Sequence, residues 1–264
     1  MSAIDALFER TRVEDRAALV GYLPAGFPSK ELSIRAIETM VEAGVDLVEV
    51  GLPYSDPVMD GPTIQAAADI ALAGGTRVGD VLDVVKASAA TGAPTVVMTY
   101  WNPVERYGVE RFAADLAAAG GAGLITPDMI PDEAEEWLEA SGEHGLSRIF
   151  LVAPSSTDER LAMTAEAASG FIYATAVMGV TGQRDQTSAL AEPLVSRLRK
   201  VTDKPVGVGL GVSNGAQARE VAAFSDAVIV GSALVRCLLD HAGPDDALSA
   251  LRDLVVDLRA GMER

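Results

Sequence analysis

Short runs of β-branched residues alternate about eight times along this chain with amphipathic segments rich in Ala, Leu and Glu. Parallel strands joined by crossover helices read this way, because such strands are buried on both faces and each helix turns one apolar stripe to the sheet. Strands are predicted at Leu19 to Leu23, Asp46 to Gly51, Pro94 to Tyr100, Ala122 to Thr126, Arg148 to Val152, Phe171 to Ala176, Val206 to Gly209 and Ala227 to Val230. Between them lie helical stripes such as Ile34, Ile37 and Val41; Leu190, Leu194, Leu198 and Val201; and Leu248, Leu251, Val255 and Leu258. Ser156 with Glu159 forms a capping-box pattern, and Ser213 precedes an Ala-rich helix. Gly44, Gly92, Gly120, Gly145 and Gly170 each end a helical run just before a strand.

Eight repeats favour closure. The fold class expected is α/β, a (β/α)8 TIM barrel with an extra N-terminal helix (Ser2 to Thr11) and an added helix after strand 2 (Thr63 to Ala73). The length of 264 residues suits one such barrel, and no Pro/Ser/Gly-rich linker divides it, so a single domain over residues 1–264 is expected. The rival, a doubly wound open sheet, lacks the glycine fingerprint of a dinucleotide site after any predicted strand.

A formal charge of −17 would repel a phosphate backbone, and no basic stripe or aromatic stacking series is present. Nucleic acid is therefore excluded as an expected partner. No apolar window reaches the length of a membrane span, and the first ten residues carry acids at Asp5 and Glu9 in place of a leader's apolar core, so a cytoplasmic protein with no membrane association is expected. Cys237 lies in an apolar helical run and reads as a small buried hydrophobe.

In a barrel of this kind the chemistry sits at the carboxyl ends of the strands. His144 and His241 fall away from those ends and read as surface histidines. Lys30, Lys86, Lys200 and Lys204 lie in helices or in turns entering strands, which disfavours Schiff-base chemistry. No His/Cys/carboxylate set has metal-ligand spacing in the sequence, so neither a metal nor a cofactor is expected. Carboxylates and tyrosines remain.

Strand alternation in Leu47-Val48-Glu49-Val50-Gly51 turns Val48 and Val50 to the helices and Glu49 to the upper rim of the interior. Desolvation there raises a carboxyl pKa toward neutrality, which suits a group that both gives and takes a proton; a Glu held by Arg or backbone N–H groups is the plainer alternative. Asp60 ends a loop stiffened by Pro53, Pro57 and Pro62 directly after that strand, and is the natural second acid, although Asp60 and Asp56 would equally serve as turn caps. Gly207, Gly209 and Gly211, then Gly231-Ser232 opening a helix, offer backbone N–H groups where such barrels bind phosphate, although tight turns also select glycine. The polar stretch Val177 to Ser188 reads as a lid, and Tyr22, Tyr100 and Tyr173 as either an aromatic wall or core packing. Together these features point to cleavage of a phosphorylated small molecule.

The run Glu49-Val50-Gly51-Leu52-Pro53-Tyr54-Ser55-Asp56-Pro57-Val58-Met59-Asp60-Gly61-Pro62-Thr63-Ile64-Gln65 resembles the signature of the tryptophan synthase alpha subunit. The likeness extends through Tyr100-Trp101-Asn102-Pro103, Gly179-Val180-Thr181-Gly182, Gly209-Leu210-Gly211-Val212-Ser213 and Gly231-Ser232. The resemblance implies retro-aldol cleavage of indole-3-glycerol phosphate to indole and glyceraldehyde 3-phosphate, in L-tryptophan biosynthesis. It assigns proton shuttling to Glu49, a hydrogen bond to the indole N–H to Asp60, and a place beside Glu49 to Tyr173. It assigns phosphate contacts to Gly182, Gly211, Gly231 and Ser232, closure over Asp60 to Thr181, and the indole pocket wall to Tyr22, Met98, Tyr100 and Ile125. It implies a beta-subunit partner in an alpha2beta2 heterotetramer, docked on the stiff loop segments around Asp56 and Asn102. Tyr22 stands where Phe is common, Val177-Met178 where Ser and Arg precede the lid glycine, and the Asp128 loop is one residue longer than usual. A free-standing lyase and a non-catalytic phosphosugar-binding regulatory subunit are the alternatives.

Overall fold

The computed structural model describes residues 1–175, 188–209 and 211–263. Eight parallel strands close into a barrel in sequence order: β1 (Ala18–Pro24), β2 (Leu47–Gly51), β3 (Thr95–Met98), β4 (Gly123–Thr126), β5 (Ser147–Val152), β6 (Ile172–Thr175), β7 (Val206–Gly209) and β8 (Ala227–Val230), with β8 pairing back on β1. The crossovers carry helices α2 (Lys30–Ala43), α3 (Pro62–Ala73), α4 (Val78–Ala90), α5 (Trp101–Tyr107), α6 (Val109–Ala118), α7 (Glu135–Glu143), α8 (Asp158–Ala167), α9 (Ser188–Leu198) and α10 (Gly215–Ala222). Helix α1 (Ala3–Val13) precedes the barrel, and α11 (Ser232–Leu239) and α12 (Pro244–Ala260) complete it. Among the described residues no helix is long and apolar enough to cross a membrane.

The period-2 pattern of the strands divides the apolar residues into two cores. Val20, Leu47, Val96, Ile125, Ile149, Phe171 and Ile229 face inward and form the barrel's own core, which α1 plugs from below with Ile4, Leu7 and Phe8. Phe8 meets Phe171 with ring centroids 5.9 Å apart. Their neighbours Leu19, Val48, Val97, Leu124, Phe150, Ile172, Val208 and Val228 face the helices. Burying each such side chain contributes roughly 1.5–3 kcal/mol, so a one-residue register slip, which would exchange the two sets, is strongly opposed. Ser2 caps α1 with a reciprocal Ser2–Asp5 box. All five glycines expected to end helices have positive φ, for instance +121° at Gly44.

Several local expectations are corrected. Strand β3 stops at Met98, and Tyr100 is instead the residue capping α5. Trp101–Tyr107 is that helix, not the stiff loop its Asn-Pro pair indicates. Pro103 sits in the helix's first turn, where a missing N–H costs nothing. The carboxylate of Asp128 accepts the Trp101 N–H at 2.9 and 3.1 Å, an N-terminal partner from 27 residues away. Thr157, not Ser156, caps α8 by accepting from Arg160 N–H, while Ser156 accepts from Ala153 N–H. Asn214, not Ser213, caps α10. The α9 stripe is shorter than its periodicity predicts, since Leu190 and Val201 are exposed. Ala176, the expected end of β6, lies outside the described residues.

Candidate active site

The interior faces of the strands end in an upper layer containing Tyr22, Glu49, Met98, Leu151, Tyr173 and Gly209. Above it opens a cavity of about 170 Å³ lined by Met59, Asp60, Met98, Leu151, Tyr173, Thr175 and Gly209. Met98, Asp60 and Tyr173 are therefore brought together as expected. Ile125 is fully buried in the barrel core and does not line this cavity, whereas Leu151, Met59 and Thr175 were not singled out by the sequence and do.

Glu49 is 1% exposed, and among the described residues its Oε2 has no hydrogen-bond partner. Strand β2 forces this, because its alternation leaves the side chain no route to solvent or to the helix layer. Among the described residues Glu49 finds none of the Arg or backbone donors of the plainer alternative. Burial, reinforced by the charge of Asp60, pushes its carboxyl up to about 8. That shift favours the carboxylic acid form of Glu49 at neutral pH.

Asp60 ends the loop that leaves β2 and is only partly buried. Burial raises its pKa, and a hydrogen bond from the Tyr100 hydroxyl to Oδ1 at 3.1 Å works in the opposite direction. That phenol also accepts the Met59 N–H at 3.0 Å, so one tyrosine ties both the backbone and the carboxylate of the loop end. Gln65 Nε2 donates to the Asp60 carbonyl at 2.7 Å. Tyr54 stacks on Tyr100 at 5.2 Å and stiffens the same corner. Burial, then the Asp60 carboxylate, holds the Tyr100 phenol up to about 12, so it remains a donor.

Tyr173 points from β6 into the cavity, and its phenol is raised well above its ordinary value by burial and by the Glu49 charge. A Cβ on Gly209 would come within 2.5 Å of the Tyr173 hydroxyl, so that interior glycine exists to admit the phenol. Tyr22, the Cα partner of Glu49 across β1 and β2, lies in the field of Asp60 and Glu49, and burial first and these acids next raise its phenol.

On the β8 side, Gly231 caps α11 and Ser232 begins it, so the first N–H groups of that helix have no acceptor within it. Gly211 follows β7 with φ +68° and open space around it. These positions suit an oxyanion beside the cavity. Of the predicted lid, Val177 to Ser188, residues 177–187, with Thr181 and Gly182 among them, lie outside the described residues, and Ser188 begins α9. Asp56 and Asn102 are both exposed on neighbouring segments, with Ser55 Oγ donating to Asp56 at 2.6 Å. Folding also joins groups the sequence holds apart: His144 Nε2 meets Glu110 at 2.6 Å, with Glu143 close by, a pairing of α6 with the end of α7 that sequence spacing does not reveal.

Comparison with known proteins agrees with this geometry. A family model described as tryptophan synthase alpha chain matches residues 8–262. The tryptophan synthase alpha chain of Salinispora arenicola is 66% identical over 262 residues, covering 99% of this chain and 98% of that one. A chain of Mycobacterium tuberculosis tryptophan synthase, solved in an aminoacrylate-bound form, is 54% identical with a TM-score of 0.91 over the full length of both chains. The tryptophan synthase subunit alpha of Legionella pneumophila superposes with a TM-score of 0.89 at 31% identity, covering 99% of this chain and 98% of that one. With the family model matched from residue 8 to residue 262 and the two acids standing over the barrel, the chain belongs to the tryptophan synthase alpha chain family and is a lyase of the alpha reaction in tryptophan biosynthesis.

Proposed function

We propose that Glu49, Asp60 and Tyr173 carry the retro-aldol cleavage of indole-3-glycerol phosphate within one barrel domain, and that the observation carrying this reading is the buried Glu49, whose Oε2 meets no partner among the described residues, beside a second acid. Glu49 in its acid form donates its proton to indole C3, leaving a carboxylate and a positively charged ring. That carboxylate then takes the proton of the side-chain hydroxyl next to the ring. As the C–C bond breaks, its electron pair returns to the indole, the hydroxyl carbon becomes the aldehyde of glyceraldehyde 3-phosphate, and Glu49 ends as the acid again. Asp60, ionised, accepts the indole N–H and opposes the ring's positive charge; this stabilisation is aimed at the intermediate and not at the substrate.

Burial supports the division of labour between the acids. Two neighbouring carboxyls share one proton, and it rests on the more deeply buried of them, Glu49, while the Tyr100 hydrogen bond favours charge on Asp60. Tyr22, Met98 and Tyr100 form the indole wall, with Ile125 supporting it from the core. Gly211, Gly231 and Ser232 take the phosphate through backbone N–H groups and the start of α11, completed by Gly182, with Thr181 closing over Asp60. The protein works in the cytoplasm, with a beta subunit that docks on the rim around Asp56 and Asn102 in an alpha2beta2 heterotetramer and receives the indole. Purified protein assayed with indole-3-glycerol phosphate, with and without beta subunit, tests this: indole release that Glu49→Gln abolishes supports it, and equal turnover by the variant removes Glu49 from the mechanism.

A further inference from the structure

The loop that carries Asp60 is tied down by side chains. Among the described residues no backbone–backbone hydrogen bond holds positions 53–60; the nearest on either side run from the Leu52 N–H to the Met98 carbonyl and from the Gln65 N–H to the Gly61 carbonyl. Three side-chain bonds meet the last two residues of the loop instead. Tyr100 accepts the Met59 N–H and donates to Asp60 Oδ1, and Gln65 Nε2 donates to the Asp60 carbonyl at 2.7 Å. Among the described residues, the Gln65 bond is the one that fixes the peptide joining Asp60 to Gly61. Glycine on one side of that peptide leaves it freer to turn than any other residue would.

Helix stability does not explain a glutamine here. Gln65 stands exposed at the end of the first turn of α3, a turn with no acid and no side-chain cap, and a helical side chain leans back toward the N-terminus and so toward Asp60. A glutamate would suit the helix dipole better. It could not donate to a carbonyl, however, and its charge would stand beside that of Asp60. We propose that Gln65 is a positioning residue for the cleavage, its amide fixing the Asp60 backbone so that the carboxylate, held at Oδ1 by Tyr100, stays aimed into the cavity. Asp60 lines that cavity and Gln65 does not, so the effect passes through Asp60. Since Asp60 opposes the charge of the protonated ring, a misaimed carboxylate weakens the intermediate more than it weakens substrate binding. The proposal rests on that reading of Asp60.

The test is kcat and KM for indole-3-glycerol phosphate, measured separately and beside denaturant midpoints, for Gln65→Met, Gln65→Glu and Asp60→Asn. Gln65→Met keeps the length and loses the donor, and is expected to lower kcat about three- to tenfold, the worth of one hydrogen bond, with KM and the midpoint close to those of the unaltered protein. Gln65→Glu is expected to lower kcat further while the midpoint holds or rises, a combination that a merely structural role does not produce. An unaltered kcat in Gln65→Met, a loss confined to KM, or a loss that only tracks the unfolded fraction overturns the proposal and leaves Gln65 as helix surface. If Asp60→Asn is inactive and Gln65→Met keeps the full kcat, the Gln65 assignment fails alone; if Asp60→Asn keeps the normal rate, the reading of Asp60 fails with it.

Discussion

Asp46, immediately before β2, and Glu49, within it, are three residues apart, both carboxylates and both buried, and the fold treats them oppositely. At the lower rim Asp46 accepts from Arg16 Nη1 and Nη2 at 2.7 and 2.8 Å, from the Leu19 N–H at 2.9 Å and from Arg10 at 3.3 Å. At the upper rim Glu49 Oε2 has no partner among the described residues, and burial pushes the carboxyl up to about 8. Burial alone therefore does not mark a working residue. The distinction lies in whether the fold supplies partners: the α1 end of the barrel neutralises its acid, and the other end leaves its acid for a ligand to complete.

The sharpest way to break this comparison is to make the upper acid permanently neutral. Glu49→Gln is expected to lower kcat by about 10³ or more while substrate still binds, since general acid–base groups contribute factors of that size. The same variant is expected to be more stable than the parent, increasingly so from pH 4.5 to about pH 8. The sign follows from linkage: the folded state holds a proton that the unfolded chain has released across that window, so the stability Glu49 contributes below it is lost as pH rises, by on the order of a few kcal/mol. Denaturant melts at pH 5 and pH 8 check it, and a stability difference independent of pH would contradict it.

Asp46→Ala is the converse. It takes the closest pair from the buried Arg16 guanidinium, which among the described residues keeps only Glu14 and the Ala17 carbonyl, and is expected to cost up to about 3–5 kcal/mol of stability, read from denaturant midpoints, while kcat of the folded fraction stays unchanged. A large fall in kcat at full foldedness would erase the division between the rims.

Smaller effects probe the upper rim itself. Gly211→Asp and Ser232→Asp are expected to raise KM for indole-3-glycerol phosphate through charge repulsion with its phosphate, with the affinity for free indole unaltered. Equal weakening of both ligands would move the phosphate elsewhere. Asp56→Ala and Asn102→Ala, at exposed positions, are expected to leave basal cleavage near normal and to lower the rate gained on adding beta subunit, measured by titrating one subunit with the other. A basal loss as deep as that of Asp60→Ala would join this segment to the chemistry.

The sequence carried the barrel because its signals are local and repeated. Each strand alternates on its own, each helix bears its own stripe, and positive-φ glycines punctuate them. Glu49 was legible for the same reason, since a carboxylate on the inward phase of an apolar strand has nowhere else to go. What escaped was set by partners distant in sequence. Helix α5 depends on Asp128, 27 residues away, for its first turn, so Trp101 to Val104 reads as loop when taken alone. The grip of Tyr100 on Asp60 spans 40 residues. Leu151 reads as core until the wall it belongs to is closed by its neighbours. Gly51 and Gly209 were the available hint: interior glycines at the tops of strands mark a neighbour approaching closely, and in both cases it is a tyrosine hydroxyl.

The protonation of Glu49 at rest is the claim on which the rest depends, and it can be observed directly by following the side-chain carboxyl of Glu49 through a pH titration, by infrared difference spectroscopy or carbon NMR against Glu49→Gln. A protonated carboxyl signal at pH 7, absent from the variant and titrating near pH 8, is the predicted result. A carboxylate already ionised at pH 7, titrating near its ordinary value of 4.5, would contradict the account.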